Sequence, residues 1–96
     1  MSLKVGIVGL GIMGGSFAKN LRNAEFEVYG FDILDTNIRE LVSLGGKEGL
    51  SPMDVANQSD VVITSLPSIE SFHQVMTGKE GLKEAKKDGL IIIECS

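Results

Sequence analysis

The chain has 96 residues, with 9 Lys and Arg against 13 Asp and Glu and a net charge of −4. Its 43% of hydrophobic and 23% of charged residues exclude a disordered chain. The length holds one domain, and the acidic balance offers no basic surface to nucleic acid or to acidic lipid.

The single cysteine, Cys95, excludes an internal disulfide and fits a reducing, cytoplasmic setting. No apolar run reaches the roughly 18 residues of a membrane span. Lys4 with the apolar residues after it could mimic a secretion signal, but five glycines up to Gly15 interrupt the run and no cleavage-site pattern follows. Glycine is in excess, 12 of 96 residues, against an average of about 7%. With Val, Ile and Leu plentiful and no collagen period, these glycines must do local backbone work.

Residues 3–8, rich in β-branched side chains, predict a buried strand. A glycine-rich turn from Gly9 to Gly15 follows. Met13, Phe17 and Leu21 then recur at helical spacing, and this helix ends near Asn23. Glu27 to Asp32 form a second strand. Asp35, Thr36 and Asn37 are cap candidates for a second helix, with Asn37 and Glu40 at capping-box spacing, and Gly45-Gly46 end it.

A short strand around Lys47 to Leu50 precedes a third helix. Its start is marked by Ser51 as cap, Pro52 at the first position and Asp54 at the third. Asp60 to Leu66 form the fourth strand, closed by Pro67. Ser68 caps a fourth helix with Ile69, Phe72, Val75 and Met76 on its apolar face, and Gly78 ends it. A short helix from Leu82 to Lys87 leads into a last strand, Leu90 to Glu94.

Near-continuous apolar strands alternating with helices imply a parallel sheet covered on both faces. The fold expected is therefore α/β, a doubly wound Rossmann-type sheet of strand order 3-2-1-4-5. Its ligand crevice lies at the carboxyl ends of strands one and four. All of residues 1–96 belong to this one dinucleotide-binding unit. The last strand closes the sequence, which reads as the N-terminal part of a longer protein.

Gly9-Leu10-Gly11-Ile12-Met13-Gly14 matches G-x-G-x-x-G. The motif alone is weak, but a strand precedes it, a helix follows, and Asp32 ends the second strand. Gly9 permits the tight turn, Gly11 lets a diphosphate approach the backbone, and Gly14 lets the helix pack on the sheet. The helix start, with its free N–H groups, would hold the diphosphate. Asp32 would accept from the ribose hydroxyls and repel a 2′-phosphate. The first Arg after it is Arg39, inside the next helix, so NAD is expected over NADP. Ser65, Leu66 and Pro67 lie where the fourth strand meets the crevice, and Leu66 and Pro67 could wall the adenosine half.

The segment from Val5 to Gly14, with Ala18, Asn20 and Leu21 after it, resembles the β-hydroxyacid dehydrogenases of the 3-hydroxyisobutyrate dehydrogenase type. Asp60 to Ser68 resembles that family's D-V-V-I-x-x-L-P segment, and Glu94-Cys95-Ser96 the start of its D-x-S-T substrate segment. Glu94 departs from the usual Asp. The resemblance implies hydride transfer between a nicotinamide and the alcohol carbon of a small hydroxy acid, with Ser96 binding the substrate.

It also implies a catalytic Lys and a helical domain downstream of this chain, and a homo-oligomer for the intact enzyme. No lysine here matches the catalytic motif, and Lys79, Lys83, Lys86 and Lys87 read as a polar helix face. This chain alone is therefore expected to be inactive. Gly14-Gly15-Ser16 also resembles the prephenate dehydrogenases, and a non-catalytic nucleotide-binding module is a further alternative. His73 is expected on a helix surface, Cys95 as a buried structural residue, and Met53 and Met76 as apolar packing. One His, one Cys and no clustered acids give no metal site.

Overall fold

The structure is a computed structural model that describes residues 3–85 and 89–95. Its strands are β1 (Lys4–Val8), β2 (Glu27–Phe31), β3 (Lys47–Glu48), β4 (Val61–Thr64) and β5 (Ile91–Glu94). The helices are α1 (Ile12–Asn23), α2 (Asp35–Ser43), α3 (Pro52–Gln58) and α4 (Ile69–Thr77), with a 3-10 turn at Leu82–Glu84. All pairings are parallel, in the order β3-β2-β1-β4-β5. This is the doubly wound order expected.

Strand alternation sends neighbouring side chains to opposite faces of the sheet, and the core is divided accordingly. Ile7 and Val28 pack with Ala18 of α1 and with Ile38 and Leu41 of α2. Val8 and Val62 pack with Val55 and Ala56 of α3 and with Leu82, and Val75 and Met76 of α4 join them. At the β5 edge only Ile92 turns into this second cluster, while Ile91 and Ile93 are exposed.

Local chemistry sets the element ends. Ser51 Oγ accepts from the Asp54 N–H at 3.1 Å, and Ser68 Oγ accepts from the Ser71 N–H at 3.1 Å, as helix caps do. The Gly46 and Gly45 N–H groups bond to the Leu41 and Val42 carbonyls, a double bond pattern that closes α2 at the glycine pair.

The start of α2 differs from expectation. Leu34 is its cap residue and no side chain caps it. Asn37 lies inside the first turn and points its amide at Asp32 instead, at 3.2 Å. A tertiary acceptor at the end of β2 has replaced the local capping box. Several expected elements are also shorter: β1 begins at Lys4, β2 stops at Phe31, β3 stops at Glu48, β4 runs only from Val61 to Thr64, β5 begins at Ile91, and the last helix is the 3-10 turn. Lys86 and Lys87 fall outside the described residues, as does the side chain of Ile69. Lys79, Lys83 and His73 are exposed, and Met53 and Met76 are half-buried.

Candidate functional site

The turn between β1 and α1 is built on close approach. Gly9 has φ +95°, a left-handed conformation that favours glycine. A Cβ at Gly9 would stand 2.1 Å from the Ser65 carbonyl oxygen, and one at Gly14 would stand 1.8 Å from the Gly9 carbonyl oxygen. The β1 turn, the β4 loop and the first turn of α1 therefore interlock. At Gly11 the opposite holds: an added Cβ would meet nothing within 4 Å.

Gly11 is the cap position of α1, no side chain caps the helix, and no acid stands in its first turn. The opening N–H groups of a helix have no carbonyl of their own helix to bond, and the helix dipole adds positive character there. Open space, uncapped N–H groups and no competing carboxylate together fit a diphosphate.

A cleft of about 520 Å³ opens beside this turn, across the carboxyl ends of the strands. Gly9, Gly11, Ile12, Met13, Asp32, Ser65, Leu66 and Pro67 all line it. Eight of the ten residues proposed from sequence for the cofactor therefore face one space. The other two, Leu10 and Gly14, sit beneath it. Leu10 is buried in the core on the α1 and α2 side and contributes its backbone N–H, while Gly14 is buried against Gly9. Met13 was expected on the core stripe with Phe17 and Leu21. Only Phe17 and Leu21 pack on the core; Met13 is half exposed on the cleft, and Ile12 is 98% exposed.

Among the described residues, Asp32 is the only charged one that lines the cleft. Its Oδ2 accepts from the Leu10 N–H at 2.7 Å and from the Asn37 amide at 3.2 Å. Its Oδ1 accepts from the Leu34 N–H at 2.8 Å. The carboxylate thus ties the end of β2 to the glycine-rich turn. Arg39 is turned away in an exposed i,i+4 ion pair with Asp35 at 2.7 Å.

The far side of the cleft carries Leu66, Pro67 and Val75 beside Ser71 and Gln74, with no charged side chain among the described residues. Cys95 also lines it and is half-buried. This corrects its expected role as a buried structural residue. The strand ends at Glu94, so the alternation that would have buried Cys95 no longer governs it, although its N–H still bonds the Thr64 carbonyl at 2.8 Å. Ser96, the expected substrate residue, lies outside the described residues.

Sequence reasoning missed Ile33, Leu34, Asn37, Ser71 and Gln74 as lining residues. Ile33, Leu34 and Asn37 follow the acid at the end of β2, and that placement is the signal that could have found them. Ser71 and Gln74 share one face of α4 at i, i+3 spacing. Among the described residues, no helix is long and apolar enough to cross a membrane, and no three His, Cys, Asp or Glu side chains are grouped to hold a metal.

Comparison with known proteins matches residues 4–96 to the family described as the NAD binding domain of 6-phosphogluconate dehydrogenase. The 2-(hydroxymethyl)glutarate dehydrogenase of Eubacterium barkeri is 37% identical over 99% of this chain and 32% of its own length. The mitochondrial 3-hydroxyisobutyrate dehydrogenase of Rattus norvegicus is 35% identical over 96% of this chain and 28% of its own.

Among solved structures, the 3-hydroxyisobutyrate dehydrogenase of Mycobacterium tuberculosis with L-serine superposes with a TM-score of 0.83 at 29% identity, covering 98% of this chain and 32% of that one. An imine reductase variant from Myxococcus stipitatus in complex with NAD+ reaches 0.89 at 17% identity, covering all of this chain and 32% of that one, which shows the shared fold alone. The chain spans about a third of the length of these relatives.

Proposed function

This chain belongs to the family of the NAD-binding domain of 6-phosphogluconate dehydrogenase, and we propose that it binds NAD in preference to NADP, as the cofactor half of a hydroxyacid dehydrogenase. The observation that carries the preference is Asp32, the sole charged group that lines the cleft among the described residues. A ribose hydroxyl offers a donor to a carboxylate that has acceptor capacity left. A 2′-phosphate would bring a like charge to the same place, and among the described residues no cation lines the cleft to offset it.

The chain's own residues divide the work. The N–H groups opening α1 hold the diphosphate across the unfilled space at Gly11. Gly9 and Gly14 keep that turn close to β4 and α1. Leu66 and Pro67 exclude water from one wall, Ile12 and Met13 cover the rim, and Ser65 supplies polar atoms beside them. When bound, the nicotinamide supplies the hydride donor or acceptor. The substrate is a small hydroxy acid oxidised at its alcohol carbon, held in part by Ser96.

The support for this class lies in the relatives' names, a hydroxymethylglutarate and a hydroxyisobutyrate dehydrogenase. The catalytic base and the remainder of the substrate pocket lie in sequence beyond these residues, and the intact enzyme is a homo-oligomer. A single cysteine supports a reducing, cytoplasmic setting. Titrating the full-length protein with NAD and NADP in parallel tests the reading. Tighter binding of NAD is expected; tighter binding of NADP overturns it.

A further inference from the structure

Among the described residues, Asn37 is the one polar side chain that reaches Asp32 from another element, and it lines two cavities at once. It borders the main cleft and also a second groove of about 450 Å³ between α1 and α2. Its amide nitrogen donates to Asp32 Oδ2 at 3.2 Å. That oxygen already accepts from the Leu10 N–H at 2.7 Å, so its two lone pairs are both taken. Oδ1 accepts only from the Leu34 N–H among the bonds described, at 2.8 Å, and keeps one acceptor direction. The amide therefore fixes how the carboxylate divides its two oxygens: one toward the glycine-rich turn, one left for a ligand.

From this geometry we infer that Asn37 is a positioning residue for Asp32 that sets the preference of the site for an unphosphorylated ribose. This rests on the dinucleotide reading of the cleft. Without the amide, the carboxylate is held by two backbone donors alone and is freer to turn about its side-chain bonds. A turned carboxylate loses the direction that accepts a ribose hydroxyl. It also relaxes the like-charge barrier to a 2′-phosphate. Loss of Asn37 should therefore weaken NAD while affecting NADP less. Asn37→Asp goes further, because it replaces the donor by a second acceptor of like charge about one hydrogen-bond length from Asp32.

The test measures dissociation constants of NAD and NADP for the full-length protein and for Asn37→Ala, Asn37→Asp, Asp32→Asn and the double variant Asn37→Ala/Asp32→Asn. Unfolding temperatures without cofactor show which variants remain folded. A hydrogen bond to a charged group, lost with Asn37→Ala, should weaken NAD about tenfold. The NAD-to-NADP preference should fall by a comparable factor, and Asn37→Asp should weaken NAD more.

In the Asp32→Asn background, Asn37→Ala should leave the preference unchanged, because the residue acts through the carboxylate. A variant that weakens both cofactors equally, or that shifts the preference equally with and without the Asp32 carboxylate, overturns the inference while the dinucleotide reading stands. A wild-type protein that binds neither cofactor overturns the dinucleotide reading itself, and this inference with it.

Discussion

The two sides of the cleft are held by different means. On the β2 side, Asp32 gathers the N–H groups of Leu10 and Leu34 and the amide of Asn37 into one network. On the β4 side, Leu66 and Val75 pack into the core, and the buried hydroxyl of Thr64 has no hydrogen-bond partner among the described residues. One side specifies a ligand by the direction of donors and acceptors, the other by shape. Polar substitutions should therefore act on binding at β2, and volume changes should act on stability wherever the chain packs closely.

The sharpest contrast lies within the glycine-rich turn itself. Gly14→Ala drives a methyl group into the Gly9 carbonyl and should destabilise the fold by about 3 kcal/mol or more, read as a lowered unfolding temperature. Gly11→Ala places the same methyl in open space and should change stability by about 0.5 kcal/mol or less, while lowering dinucleotide affinity at least about tenfold in a binding titration. Equal effects on folding at the two positions would erase the distinction between packing glycine and cradle glycine.

Asp32→Ala tests the network next. It leaves the part-buried Leu10 N–H without its acceptor, while the exposed Leu34 N–H turns to water, and should cost about 1 kcal/mol of stability by denaturant unfolding, together with the preference for NAD. Thr64→Val probes the other side. It is nearly isosteric and removes a buried, unpartnered hydroxyl, so it should raise stability by about 1 kcal/mol.

The smallest effect is expected far from the cleft. Glu27 bonds Lys47 at 3.1 Å on the exposed edge, and this bond, with Tyr29 beside it, holds the Lys47 ammonium above its ordinary pKa. A raised lysine pKa stabilises the fold below the lysine range and is lost only as pH rises through it. Glu27→Gln should therefore leave cofactor affinity unchanged and lower the neutral-pH unfolding temperature only slightly, because solvent screens this exposed pair.

Much of this was legible in the residues. Ser51-Pro52 with Asp54, Ser68, and Gly45-Gly46 mark helix ends by bonds that reach only a few positions along the chain, and the structure places all three where they were expected. The spacing of Gly9, Gly11 and Gly14, with an acid at the end of the next strand, also marks the cleft, because the turn and the strand end recur at fixed offsets within one βαβ unit. What was not legible depends on partners distant in sequence. Asp35, Thr36 and Asn37 compete as caps on local grounds, and only the carboxylate at the end of β2 decides what Asn37 does. Met13 fits a helical stripe, but its first-turn position puts it on the cleft. Cys95 follows the strand alternation on paper, but the strand stops one residue before it.

A crystal structure of the full-length protein with NAD tests the central claim most directly. The diphosphate should lie against the N–H groups of Gly11 to Met13, with a ribose hydroxyl on Asp32 Oδ1. A dinucleotide bound elsewhere, or a diphosphate clear of the α1 terminus, would contradict the assignment of this turn as the cofactor site.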